Sequence, residues 1–370
     1  MPVRFKLIMT SFIVLLFFNT ATNAQMLQDS FSINLIKKDI ACIYNGQFNA
    51  AREINLKITK IYPEHPVPYL LRGLLTFWKN YPLIFTTPAR ISFEEDLHQC
   101  IRLSEKNKNA TNEAEYLLAN LCARGMLLKF YDDNNLIMKV IPLAAGTYKY
   151  LRHSFSLTGV CTDLYYYTGA YNFYRDAYPK YYPGYRPLYM LFPPGDMETG
   201  LKELHNAAKE AVVLKAEAYL LLSFIYLNFE NKYHEAVFYC RTLHELYPEN
   251  ELFFTLYLKN LLLLKQYDEA EKLIVSSAKE IENKFFQAQL IIFKGIIQEK
   301  KYHNYIQAKQ YYDAGINKIS LFGVYGKEYT AYAYFGLSRI SESNSDKDTS
   351  KTYRQKAMKL GDFKKINFDN

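Results

Sequence analysis

The tightest constraint on this chain is that it repeats itself. Lys60-Ile61-Tyr62-Pro63-Glu64 and Glu245-Leu246-Tyr247-Pro248-Glu249 share a Tyr-Pro-Glu end, and each has an alanine 12 residues before its proline, Ala51 and Ala236. Ahead of those alanines come Gly46-Gln47-Phe48-Asn49 and Asn231-Lys232-Tyr233-His234-Glu235, both turn-like and both carrying an aromatic ring. The turn returns as Gln266-Tyr267-Asp268-Glu269-Ala270, with Ala270 placed 34 residues after Ala236. A period of this length marks stacked units, each too small to bury its own apolar face alone.

Each repeated residue has a task in a helix–turn–helix unit. A small residue early in the second helix lets the two helices approach, and the aromatic before it packs on the first helix. Proline at the end cannot continue a helix and stops it. In the first helix a small residue follows a tyrosine by four places at Gly73, Gly169, Ser223 and Gly336. No sustained period-2 alternation signals a strand. The pattern resembles the tetratricopeptide-repeat (TPR) family. That resemblance implies an all-α, right-handed superhelical solenoid of antiparallel helix pairs.

Extending the register gives eight units: 31–65, 66–107, 112–152, 160–212, 213–249, 250–283, 284–320 and 326–363. Units 31–65 and 213–283 are the clearest, and 66–212 is degenerate. Ala308 and Gly315 fall in the second helix of the seventh unit and Ala357 in that of the eighth. Ser341–Lys351 reads as a polar loop within the last unit.

Residues 1–24 are set apart. Arg4 and Lys6 precede the apolar run Leu7–Phe18, and Thr22-Asn23-Ala24 offers small residues at a cleavage point. This is the three-part form of a secretory signal, with a mature start at Gln25; an uncleaved N-terminal anchor is the alternative. The run of 12 residues falls short of the roughly 20 a spanning helix needs. The signal looks bacterial, so the expected location is the periplasm or envelope of a Gram-negative cell, or outside it. Losing Arg4 and Lys6 takes the formal charge from +8 to +6. The remaining basic residues are scattered, as at Lys37-Lys38 and Lys300-Lys301, and form no stripe for nucleic acid.

Hydrophobic residues make up 49% of the chain and aromatics 16%, enough for a continuous core and against disorder. The excess is tyrosine, 34 copies against the single Trp78. Ten of these tyrosines fall in 165–194, and four prolines in 179–193, so 170–199 reads as a Tyr/Pro-rich insertion, an ordered loop or short helix that breaks the period. Tyr174, Arg175, Tyr178, Tyr181, Tyr182, Tyr185 and Arg186 there are of the types that recur at binding hot spots. Either they line or cap the concave face, or they fill the gap left by the degenerate fourth unit.

Between Tyr165 and Ala270 the chain also resembles a group of exported bacterial TPR proteins of unassigned role. Tyr166-Tyr167-Thr168-Gly169, Tyr174-Arg175-Asp176-Ala177-Tyr178-Pro179, Gly195-Asp196 with Gly200-Leu201, and Leu243-His244-Glu245-Leu246-Tyr247-Pro248 carry that likeness. It implies fold and export, and brings no activity or site residues with it.

Signs of chemistry are scarce. None of the seven histidines makes a His-Glu-x-x-His motif, and no phosphate loop or nucleophile elbow is present. Cys42, Cys100, Cys122, Cys161 and Cys240 have no metal-like spacing and sit in apolar helical contexts, as small buried hydrophobes do. No catalytic residue, metal or cofactor is expected. The first helices stand out instead: 218–227 and 285–297 are apolar nearly all round, 252–264 less completely. In a TPR array these helices line the inner face. Candidate inward residues are Leu70, Leu74, Phe77, Tyr166, Phe173, Leu220, Phe224, Leu227, Phe293 and Ile296. A tightly wound array would bury them against itself; an open one would offer a groove. The leading functional expectation is a binding scaffold for a protein or peptide, with a carrier of an apolar small molecule as the alternative.

Overall fold

The computed structural model describes residues 26–27, 29–106, 112–277, 281–360 and 368–369. The signal segment and the start at Gln25 lie outside them. Among the described residues there is no strand, and the helices come in antiparallel neighbours. The pairs are α1 (Ser30–Tyr44) with α2 (Phe48–Ile61), α3 (Pro66–Lys79) with α4 (Arg90–Lys106), and α5 (Glu113–Asp133) with α6 (Ile137–Ser154). Then come α7 (Tyr165–Tyr181) with α8 (Met197–Glu210), α9 (Lys215–Asn228) with α10 (Tyr233–Leu246), and α11 (Glu251–Leu263) with α12 (Tyr267–Ser277). The last two are α13 (Lys284–Lys300) with α14 (Tyr305–Ile319), and α15 (Lys327–Ser343) with α16 (Lys347–Lys359).

Local chemistry sets the ends of these helices. Asp29, Asp196, Asn250, Asn283, Asn304 and Asp346 accept a backbone N–H of the helix they precede. His65 does the same through Nδ1, with Pro66 pre-set for the first turn. Tyr62 and Tyr247 follow the last helical residues, each ahead of a proline. Between paired helices the chain reverses through a left-handed residue: Gly46, Asn135, Asn231, Lys265, His303 or Ser345. This conformation favours Gly and Asn. In each case the residue five places later packs in the second helix. At four of those places it is Ala51, Ala236, Ala270 or Ala308, all fully buried.

The fourth pair is the irregular one. Gly169 and Gly200 bring α7 and α8 almost into backbone contact: a Cβ on Gly200 would stand 2.5 Å from the Phe173 nitrogen. The segment expected to leave the repeat at 170 is helical as far as Tyr181, running through Pro179. Phe173 and Ala177, one turn apart, are buried against the core, and Tyr178 and Tyr181, on either side of Pro179, pack on Phe229, which holds the helix past the proline. The excursion proper is 182–196, with a 3-10 turn, Pro183–Tyr185, followed by a short α-helical turn, Arg186–Tyr189. The expected polar loop Ser341–Lys351 is also mostly helix, because Asp346 caps α16 and only Asn344–Asp346 turn.

The array closes on itself. The Nδ2 of Asn250 donates to the Tyr44 carbonyl at 2.8 Å, and that of Asn283 to the Tyr81 carbonyl at 2.7 Å. The Tyr325 hydroxyl reaches the Leu83 carbonyl at 3.2 Å. Tyr44 and Trp78 pack on Phe253, and Tyr81 stacks on Phe286 with ring planes 4° apart. The C-terminal ends of α1 and α3 thereby meet the starts of α11, α13 and α15.

Candidate functional site: the central cavity

Closure leaves a space. Inside the ring, bounded by α3, α5, α7, α9 and the start of α11, lies a cavity of about 270 Å³. Helical periodicity aims its walls: Leu70, Leu74, Phe77, Trp78 and Tyr81 follow one stripe along α3 and just past it, and Cys122, Met126 and Lys129 another on α5. Tyr166 and Tyr167 come from α7, Glu217 and Leu220 from α9, and Leu252 from α11. No described helix is long and apolar enough to cross a membrane.

The polar groups at this wall are few. The Tyr44 hydroxyl donates to Glu217 Oε1, while Glu217 Oε2 is buried with no hydrogen-bond partner. Burial pushes the Glu217 carboxyl up to about 7, against the smaller opposing pull of the Tyr44 bond. Burial also pushes the Cys122 thiol and the Tyr166 and Tyr167 phenols up, so all three stay neutral near neutral pH. Lys129 is mostly exposed and bonds Asp133 at 2.8 Å. Nearby Asp163 is different: its carboxylate accepts the backbone N–H groups of Val212, Val213 and Leu214 at 2.7–2.9 Å. Asp163 pins the start of α9; Glu217 is left half-satisfied.

The residues expected to face inward divide three ways. Leu70, Leu74, Phe77, Tyr166 and Leu220 line the cavity. Phe173, Leu227, Phe293 and Ile296 are instead buried in the core between neighbouring helices. Phe224 shares the face of α9 that carries Leu220 one turn earlier, but it lies past the cavity beside Phe229 and is 50% exposed. A helix apolar all round does not reveal which side meets the lumen. Of the repeat positions, Gly73 is buried against Leu97.

The tyrosine-rich residues gather on Phe229 rather than at the cavity. Tyr174, Tyr178 and Tyr181 pack around that ring, and Tyr182 packs on Tyr178. The Tyr181 hydroxyl donates to the Phe229 carbonyl at 2.5 Å. Arg175 donates to the Phe192 carbonyl and Arg186 to that of Pro179, so both guanidinium groups tie down the excursion itself. The Tyr185 side chain lies outside what the structure describes.

Sequence reasoning missed Glu217 and, around it, Trp78, Tyr81, Cys122, Met126, Tyr167 and Leu252. A lone Glu in an apolar first helix, three places before Leu220, was the available signal.

Two other clefts are polar. One, between α4 and α6, holds Glu94 bonded by Arg90, Lys139 and Tyr131. The other sets His153 against Glu113. No group of three metal-binding side chains occurs among the described residues. All five cysteines are free thiols, four of them buried.

No protein-family model and no curated protein matches the sequence. Among solved structures, the chain is similar to the human IFIT1 dimer with PPP-AAAA, at 14% identity over 85% of this chain and 68% of that one, with a TM-score of 0.41. It is also similar to the P58(IPK) TPR domain, at 12% identity over 88% of each chain, with a TM-score of 0.24. The fold is legible from the chain itself: successive antiparallel helix pairs, a left-handed reversal within most of them, and a small buried residue five places on make it a TPR-like helical solenoid.

Proposed function

We propose that the protein is a non-catalytic binding protein that holds a small apolar molecule inside its closed array. One observation carries this reading: ring closure leaves a cavity of about 270 Å³ whose walls are almost entirely aliphatic and aromatic, with a single half-satisfied carboxyl among them. Pockets of this make-up suit small ligands, with a few polar groups fixing orientation. The absence of a nucleophile paired with a base at the wall fits holding rather than reacting, since the Cys122 thiol is pushed away from its reactive form. Solvent extraction and mass spectrometry of purified protein tests this. Retained apolar cargo in the native chain, lost in a Leu74→Trp variant that fills the cavity, is the expected result. Equal cargo in both would sink it.

A scaffold for a protein partner is the second reading, favoured by exposed apolar side chains on the outer face. Ile91 on α4 and Ile137, Met138 and Ile141 on α6 are all more than half exposed. Repeat arrays commonly present such surfaces to partners. Charge insertion at Met138 and Ile141 should then abolish co-purification of a partner and leave cavity cargo unchanged. Export to the bacterial envelope is part of the proposal, supported by Arg4, Lys6, the run Leu7–Phe18 and Ala24. Intact-mass analysis of native protein should find Gln25 first; a retained Met1 would contradict it.

A further inference from the structure

We infer that the cavity takes a protonated amine carried on a slender apolar body, with the ammonium group at Glu217 and between the surrounding aromatic rings. The inference rests on the cavity being a ligand site and names the chemical class that fits it.

The first argument is the unpaired oxygen. Tyr44 satisfies Glu217 Oε1, and nothing satisfies Oε2. A buried carboxylate oxygen without a donor is costly, and a ligand N–H would remove that cost. The contrast with Asp163 shows that the fold can saturate an acid here, since three backbone N–H groups do so one helix start away.

The second argument is the company Glu217 keeps. The titratable groups acting on it from packed elements are Tyr44 on α1, Cys122 on α5, Asp163 ahead of α7, Tyr166 and Tyr167 on α7, and Tyr247 after α10. Every one is neutral or acidic. Lys129 is the basic group at the cavity, and it is bonded to Asp133. A carboxylate-headed ligand would meet like charge, whereas an ammonium meets the charge the site lacks.

The third argument is the wall itself. Trp78, Tyr81, Tyr166 and Tyr167 line the same space. Aromatic faces attract cations, and the attraction grows when water is excluded. The volume of 270 Å³ holds about nine groups of water size, at roughly 30 Å³ each. That suits a chain of about eight carbons with one head atom.

The pH dependence follows from the same geometry. A simple amine stays protonated between pH 6 and 8. Glu217, pushed up to about 7 by burial, ionises across that interval. Binding should therefore weaken about tenfold from pH 8 to pH 6.

The test is calorimetric titration of the full chain with octylamine, octanol and octanoate at pH 6 and pH 8, repeated on Glu217→Gln. We expect octylamine to bind at least tenfold tighter than octanol at pH 8 and octanoate to be weakest. The preference for amine should shrink to within about twofold in Glu217→Gln. Octanol equal to octylamine on the unaltered protein, or an affinity for octylamine that does not fall at pH 6, overturns the amine inference and leaves the cavity reading standing. Binding of no probe, or equal binding to Leu74→Trp, overturns the cavity reading as well. The comparisons on the unaltered chain decide the matter even if Glu217→Gln fails to fold.

Discussion

Asn250 caps two helices at once. Its Oδ1 accepts the Phe253 N–H at 3.1 Å, at the start of its own helix, while its Nδ2 donates to the carbonyl of Tyr44, the last residue of α1, 206 residues away. Asn283 repeats the arrangement one unit later, with Phe285 and Tyr81. The positive end of α11 thus meets the negative end of α1, as helix dipoles favour.

Substitution separates the two roles. Asn250→Ser keeps an oxygen for the cap and loses the bond across the ring, which should cost about 0.5–1.5 kcal/mol. Asn250→Ala loses both and should cost about 1–3 kcal/mol. Urea unfolding measures the difference; equal losses would mean the bond to Tyr44 contributes nothing.

Two buried acids give stability a pH signature. Asp39, fully buried, is pushed by burial to about 7 against the smaller opposing pull of Asn55, as Glu217 is against that of Tyr44. In both, the folded value lies above the unfolded one. The folded state therefore binds more protons between about pH 4 and 7, and stability from these groups falls as pH rises through that window. His98, His205 and His244, pushed down by burial, act oppositely below about pH 6.5. The diagnostic is thus a difference: from pH 5.5 to 8, the native chain should lose more stability than Asp39→Asn with Glu217→Gln.

Overpacking tests the repeat contacts. Ala236→Leu and Ala270→Leu place three extra carbons in sites with no exposure, at about 1–3 kcal/mol each. Gly200→Ala should be at least as damaging despite adding one carbon, because the obstacle is the backbone of α7. Thermal melts showing all three near native would refute the described helix contacts.

Phe229 is the hub of the tyrosine-rich region. Phe229→Ala should cost about 3–5 kcal/mol and raise proteolysis within 182–196. Tyr181→Phe removes its hydroxyl bond to the Phe229 carbonyl and should cost about 0.5–1.5 kcal/mol. Limited proteolysis with mass mapping distinguishes this from an excursion that folds independently.

What can be read in the sequence is what is decided within one helix pair. Tyr62-Pro63 and Ala51 betray a unit because proline and a small side chain act on their nearest neighbours. The left-handed reversals are harder to read. Gly46, Asn231, Lys265, His303 and Ser345 share a conformation but not a residue type, so only the spacing to the next small residue links them. The pairing of Asn250 with Tyr44 is invisible in sequence, since it depends on the rotation accumulated over several units. Less than a third of the cavity wall was legible for a related reason: Leu70, Leu74 and Leu220 show their stripe, but nothing local tells them from Phe293 and Ile296, which face another helix.

Ring closure also sets a timetable for the newborn chain. At about 5–20 residues per second, the partner of the Tyr44 carbonyl, 206 residues downstream, is synthesised about 10–40 s later. Over that interval the rings of Tyr44, Trp78 and Tyr81 have no cover from units not yet made. An open row of repeats can settle from its first unit onward, whereas here the last-made units lock the first. Contacts this distant in sequence slow folding, and a translational pause just before Asn250 would prolong the exposure of the aromatic edge most prone to mispairing with another nascent chain.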